Sequence, residues 1–212
     1  MEMSGRGAFA LLALALFGVA FTIYAAIASV SFFPGSLQSE FGVCPASEHF
    51  PAERGPVMHD FEADWYSSSL LGLHEKPLFE DKERAQQTVR FTLLRSFHVP
   101  VTVRTTEMED GRVHLAGTWP AGPDGCPEPD SVCRVDRILN AEEQARLAAA
   151  QRLLLKPSYG CSTSVDGSMW LVEASGRGDY RFWSEWSPQD GDLRDLAMVM
   201  LDLTGWRLQE IY

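Results

Sequence analysis

Twenty-six consecutive residues near the start of the chain, Ala8 to Phe33, carry no charged side chain. Roughly 20 apolar residues, rising about 1.5 Å each, cross the hydrocarbon core of a bilayer, so this run is long enough to span with some tilt. The only charges before Pro34 are Glu2 and Arg6, and no Lys or Arg follows the run until Arg54. By the positive-inside rule the N-terminus stays in the cytoplasm and everything behind the run is exported. Ala26-Ile27-Ala28 offers an A-x-A cleavage signal, but the apolar character continues through Val30, Phe32 and Phe33 and stops at Pro34-Gly35. That exceeds the usual signal-peptide core of about 7–15 residues. The sequence therefore predicts a signal anchor over 1–33, single-pass in the membrane, with Phe32 and Phe33 at the outer bilayer edge. Cleavage after Ala28 stays open, and either outcome exports the remainder.

The exported part carries 28 acidic and 17 basic side chains, which keeps the whole-chain charge of −11. Such a surface repels phosphate backbones, so nucleic acid is not expected as a partner. Basic proteins and cationic ligands remain compatible with it. Cys44, Cys126, Cys133 and Cys161 all lie beyond the apolar run. An even count in an oxidising compartment reads as two disulfides. Four cysteines permit three pairings; Cys126 and Cys133 bracket the turn CPEPDSVC and are the expected local closure, in which case Cys44 would tie the N-terminal segment to Cys161. There is no C-x-x-C pair and only His49 lies close to a cysteine, so neither a metal centre nor a cofactor is expected.

Residues 34–56 read as a tether with Cys44 as its fixed point, and 57–212 as one domain. Val57 to Leu73 has helical spacing, with Pro56 at the first helical position. Its core stripe would be Val57, Phe61, Trp65 and Leu70, and its solvated back His59, Asp60, Glu62 and Asp64. From Val89 to Val103 apolar residues occupy odd positions, the pattern of a half-buried strand broken near Arg95–Pro100. Asp110-Gly111 is a hairpin turn that pairs the next strand with this one. Arg134–Leu139 is a short strand. Asn140 with Glu143 forms a capping box for the helix that follows, until Pro157 stops it.

Met169–Ala174 and Tyr180–Ser184 are strands joined at Gly176-Arg177, read as a II′ turn with Glu173 opposite Tyr180. One face carries Met169, Leu171, Glu173, Tyr180 and Phe182. The other carries Trp170, Val172, Arg181 and Trp183. Glu173 beside a phenol at an apolar margin is the best candidate for a functional acid, since burial raises a carboxyl pKa. Trp170, Arg181, Trp183 and Trp186 form the candidate binding set, with Arg181 stacked between indoles. After Ser187-Pro188, Leu193, Leu196, Ala197, Met200 and Leu203 share one helix face, and Gly205 ends that helix. The expected fold class is α+β: an N-terminal transmembrane helix, then one domain with an antiparallel sheet packed by helices.

Trp183-Ser184-Glu185-Trp186-Ser187 matches the W-S-x-W-S box and so resembles class I cytokine receptors over five residues. In that family the box closes a fibronectin-type sandwich and the span follows it. Here the apolar run comes first and a helix follows, so the match reads as coincidence. Arg177-Gly178-Asp179 matches an integrin-binding tripeptide, but Gly and Asp are also what a turn demands. More broadly, Asp166-Gly167, Trp170, Glu173, Tyr180, Ser187-Pro188 and Gly205-Trp206 resemble small exported bacterial proteins of unknown function, which implies a fold more than an activity.

No G-x-S-x-G, H-E-x-x-H, phosphate-binding glycine loop or dinucleotide fingerprint occurs. The leading reading is a membrane-anchored, extracytoplasmic, non-enzymatic binding or accessory protein, either a subunit of an envelope complex or immunity-like, with a protein partner. The alternative is an envelope hydrolase using Glu173 with a histidine.

Overall fold

Strand-forming residues on both sides of an Arg-to-Pro break start the main sheet. The chain runs Thr88–Arg95 (β3), turns, and returns as Val101–Glu107 (β4), so the alternation read from Val89 to Val103 is two strands. Gly111, at φ +80°, then closes a hairpin onto Val113–Trp119 (β5). This computed structural model describes residues 31–46, 51–122, 125–127, 132–161, 166–208 and 211. The chain divides into two units, Met1–Ser31 and Phe32–Tyr212.

In chain order the second unit opens with a short helix Ser36–Ser39 (α1), strands Phe41–Cys44 (β1) and Glu53–Pro56 (β2), and the helix Asp60–Gly72 (α2). After β3, β4 and β5 come Cys133–Ile138 (β6), the helix Ala141–Ala150 (α3), the two-residue strand Tyr159–Gly160 (β7), Ser168–Gly176 (β8), Asp179–Trp186 (β9) and the helix Asp192–Thr204 (α4). β1 and β2 form a separate antiparallel pair. The other seven strands lie in the order β6-β5-β4-β3-β8-β9-β7.

The expected α+β fold with an antiparallel sheet is corrected here. The described chain is mostly sheet with few helices, and the large sheet is mixed, because β7 runs parallel to β9. Two residues are too short a strand to read from sequence. Of the expected transmembrane helix over 8–33 only residues 31–33 are described, and no helix among the described residues is long and apolar enough to cross a membrane. Residues 8–30 of the expected span lie outside the described residues. Phe32 and Phe33, expected at a bilayer edge, are buried in the domain's own core. The Phe32 amide donates to Ser67 Oγ at 3.1 Å, and the Phe33 ring meets Tyr66 and Phe182 edge-on. The stretch expected as a tether is folded too, into α1, β1 and β2.

β3 and β8 are buried along their whole length because the sheet is covered on both faces. On one face Phe91, Trp170, Val172 and Trp183 pack with Leu147 of α3 and Leu196 and Met200 of α4. On the other, Met169, Leu171 and Phe182 pack with Phe32, Phe33, Leu37, Tyr66 and Leu70. Two disulfides close the fold: Cys126–Cys133, and Cys44–Cys161, which spans 117 residues. Cross-linking so long a loop stabilises chiefly by restricting the unfolded chain. Disulfides of this kind fit an oxidising, exported environment.

Two local readings shift. α2 begins at Asp60 with His59 as N-cap, while Pro56 ends β2. Its buried side is Glu62, Ala63, Tyr66, Ser67 and Leu70, and Phe61 is 71% exposed. Glu62 can turn inward because its carboxylate accepts the His59 amide at 2.7 Å. The β8–β9 turn is Arg177-Gly178, both at positive φ, which is the I′ pattern, not Gly176-Arg177. Glu173 therefore lies opposite Phe182, and Ser175 opposite Tyr180. The slip is two residues, an even number, so both faces keep their expected side chains.

Candidate functional site

Glu173 sits in the middle of β8, between Arg90 of β3 and Phe182 of β9, and is fully buried. It is at the centre of the sheet, not at its margin. Arg90 Nε donates to Glu173 Oε2 at 2.7 Å and Nη2 donates to Oε1 at 2.8 Å, the two-pronged geometry that suits a planar guanidinium. The Tyr180 hydroxyl donates to Oε1 at 3.0 Å, which two-residue diagonal neighbours across an antiparallel pair can reach. The third nitrogen of Arg90, Nη1, donates to the Lys76 carbonyl at 2.8 Å and to Glu75 at 3.3 Å. Arg104, a third exposed, caps the chain of charges by donating to the same Glu75 oxygen at 2.6 Å.

The result is a line of alternating charge from the surface inward: Arg104, Glu75, Arg90, Glu173, ending on Tyr180. Burial pushes the Glu173 carboxyl above the ordinary carboxylate range, against the opposing pull of Arg90 and Tyr180. For Arg90 burial works the other way, lowering its value. Glu173 and Glu75 more than reverse that, so the guanidinium stays charged. The Tyr180 phenol is held well above its usual value by burial and by the adjacent carboxylate, so it stays a donor.

Sequence reading named Glu173 and its phenol partner but missed Arg90, Glu75 and Arg104. The available signal was a lone arginine inside the run Val89–Leu94, one strand away from a lone glutamate inside Met169–Ala174. The residues that hydrogen-bond Glu173 are Arg90 and Tyr180, not a histidine, and its carboxylate oxygens are already engaged.

The binding set separates. Trp170 and Trp183 are fully buried on the helix-covered face, where Trp170 Nε1 donates to Ser168 Oγ and Trp183 Nε1 to the Pro157 carbonyl. The cation over the Trp170 ring is Arg194 of α4, at 5.1 Å, not Arg181. Arg181 instead binds Asp179 and the Leu154 carbonyl. Trp186 lies on the opposite face, half-buried, with its Nε1 on the Asp166 carbonyl at 3.3 Å. The W-S-x-W-S stretch is thus β9 and its end, followed by the α4 helix instead of another strand. The Arg177-Gly178 tip is tied down, its amides donating to the Arg84 and Lys82 carbonyls.

The exposed apolar residues lie elsewhere. Phe41 and Val43 of β1 are 63% and 57% exposed, and Phe61 at the start of α2 is stacked on Trp65. Glu40, Glu53, Asp60 and Asp64, all exposed, lie on the same two elements or next to them. β2 and the first turn of α2 line one cavity of about 190 Å³ together with the Cys44–Cys161 bridge. Among the described residues no cluster of His, Cys, Asp and Glu could hold a metal ion. No protein-family model matches this chain, and no curated protein matches it.

Proposed function

We propose that this chain is an extracytoplasmic binding or accessory protein of the cell envelope that works by holding a basic protein partner, not by catalysing a reaction. The observation that carries the reading is that β1 and the start of α2 each expose apolar side chains next to carboxylates, and that the β1–β2 pair and the start of α2 border one cavity. Isolated exposed apolar side chains are ordinary, but Phe41 and Val43 stand on the strand that ends at the Cys44–Cys161 bridge, Phe61 stands at the start of α2 beside Asp60, and Cys44, Glu53, His59 and Glu62 of these two regions border one cavity. A partner with apolar and basic groups matches these elements in both respects. The buried Glu173 belongs to this reading as scaffold: its charge is spent on Arg90 and Tyr180. Membrane attachment, with the N-terminus in the cytoplasm, rests on the apolar sequence before Phe32 and on the absence of early basic residues behind it.

Photo-crosslinking from Phe61 and from Phe41 in intact membranes tests the proposal. The expected result is one shared adduct with a basic envelope protein, lost when Asp60 and Asp64 are both changed to Lys. Adducts that persist in the charge-reversed chain, or none from either position, would overturn it. Extraction of membranes at high pH tests attachment, with retention in the pellet expected.

A further inference from the structure

Among the described residues the large sheet ends at β6, a six-residue strand with β5 on one side and no strand on the other. An antiparallel ladder alternates residues whose main-chain groups point to the neighbour with residues whose groups point away. Leu139 N–H donates to the Val113 carbonyl at 2.9 Å, which sets that phase. Arg137, Val135 and Cys133, opposite Leu115, Gly117 and Trp119, turn their main-chain groups inward to β5. Arg134, Asp136 and Ile138 turn theirs outward, along an edge that no described main-chain group satisfies. The Cys126–Cys133 bridge fixes the first residue of this edge. Arg134 and Asp136 are exposed and project from the same side of the strand, and Val132 just before it is 43% exposed.

We infer that β6 is a homodimer interface, pairing antiparallel with β6 of a second copy about a two-fold axis at Val135 and joining the two seven-stranded sheets. Charge selects this register. With the axis at Val135, Arg134 of each copy lies directly opposite Asp136 of the other, and both are residues whose main-chain groups face outward. The same register sets Val132 against Ile138, apolar on apolar. Sliding one copy by two residues either way puts Asp136 against Asp136 or Arg134 against Arg134, and like charges directly opposite are destabilising. A two-fold interface of this kind is self-complementary and closes at two copies, so it satisfies the edge without propagating into a fibre. Asp136 already touches His114 Nε2 at 2.8 Å on β5, which leaves its second oxygen for the incoming guanidinium.

The test uses the full chain in detergent micelles, with protein mass measured by light scattering across a dilution series. A dimer is expected. Asp136→Arg places arginine opposite arginine twice and weakens dimerisation by roughly tenfold. The swapped double variant Arg134→Asp/Asp136→Arg restores it. This distinguishes β6 pairing from association through the apolar N-terminal run, which the swap would not touch. Val135→Cys, at a non-hydrogen-bonded pair about 4.5 Å apart on the axis, gives a covalent dimer on oxidation. Thermal melts of the variants check that each is folded. A monomer at tens of micromolar (a concentration of roughly 10⁻⁵ M), a dimer indifferent to the charge swap, or a Val135→Cys chain that stays uncrosslinked would overturn the inference. So would a strand from a different protein occupying β6.

Discussion

The two faces of the central strands solve the same packing problem in different chemistry. Under α3 and α4, β3 and β8 present Phe91, Trp170 and Val172 to Leu196 and Met200, with the indole nitrogen satisfied locally by Ser168. Under α2 and the N-terminal segment, the same strands present Arg90 and Glu173 among Met169, Leu171 and Phe182. The apolar face gains stability from area removed from water, at about 25 cal/mol per Å². The charged face must first recover the cost of taking two ions out of water, and it does so only because all three guanidinium nitrogens of Arg90 and both oxygens of Glu173 are engaged. A buried ion pair of this kind is brittle: it is expected to tolerate replacement as a unit and not by halves.

That difference can be tested by breaking each face in turn. The largest effect is expected for Arg90→Met, which leaves Glu173 buried without its cation and costs about 3–5 kcal/mol in urea unfolding. Replacing both partners, Arg90→Met/Glu173→Met, is expected to cost less than that single change, because apolar groups of similar volume need no counter-charge. On the other face Leu196→Ala is expected to cost about 3 kcal/mol, through lost transfer energy and a residual cavity. A smaller loss, about 1 kcal/mol, is expected for Asn140→Ala, which removes the side chain that accepts the Glu143 amide at 2.9 Å. The smallest is a pH effect at the same helix end. Hydrogen bonds from Arg137 and from the Asn140 amide hold the Glu143 carboxyl down at about 2. A carboxyl depressed in the folded state stabilises above its unfolded value, about 4.3, and that contribution is lost as the pH falls toward about 2. Glu143→Gln is expected to flatten this part of the acid-unfolding curve, read by circular dichroism.

Much of the fold was legible because it follows local periodicity and turn chemistry. The alternation from Val89 to Val103, the Asp110-Gly111 turn, the Asn140 capping box and the α4 apolar stripe all lie where the residues placed them. So do both disulfides. What escaped depended on partners distant in sequence. Strict alternation implies a half-buried strand, yet β3 is covered on both faces, because Arg90 brings its own partners with it. In α2 the aromatic spacing pointed Phe61 inward, but the capping contact from Glu62 and the bulk of Tyr66 rotate the helix so that Phe61 faces water. The β8–β9 hairpin kept its faces and lost its register, since Gly176-Arg177 and Arg177-Gly178 are both acceptable turns locally. The structure holds the Arg177-Gly178 turn through its two amides, which donate to the distant Arg84 and Lys82 carbonyls. For the site, Glu173 and Tyr180 were readable as neighbours, while the arginine that fixes their role lies 83 residues away.

Glu173 is the buried half of a structural ion pair. A double-mutant cycle on Arg90 and Glu173, followed by urea unfolding, tests it most directly. Each single change is expected to be severely destabilising and the double change to cost clearly less than their sum, with a coupling of about 3 kcal/mol. Additive costs, or a Glu173 variant as stable as the parent chain, would contradict it.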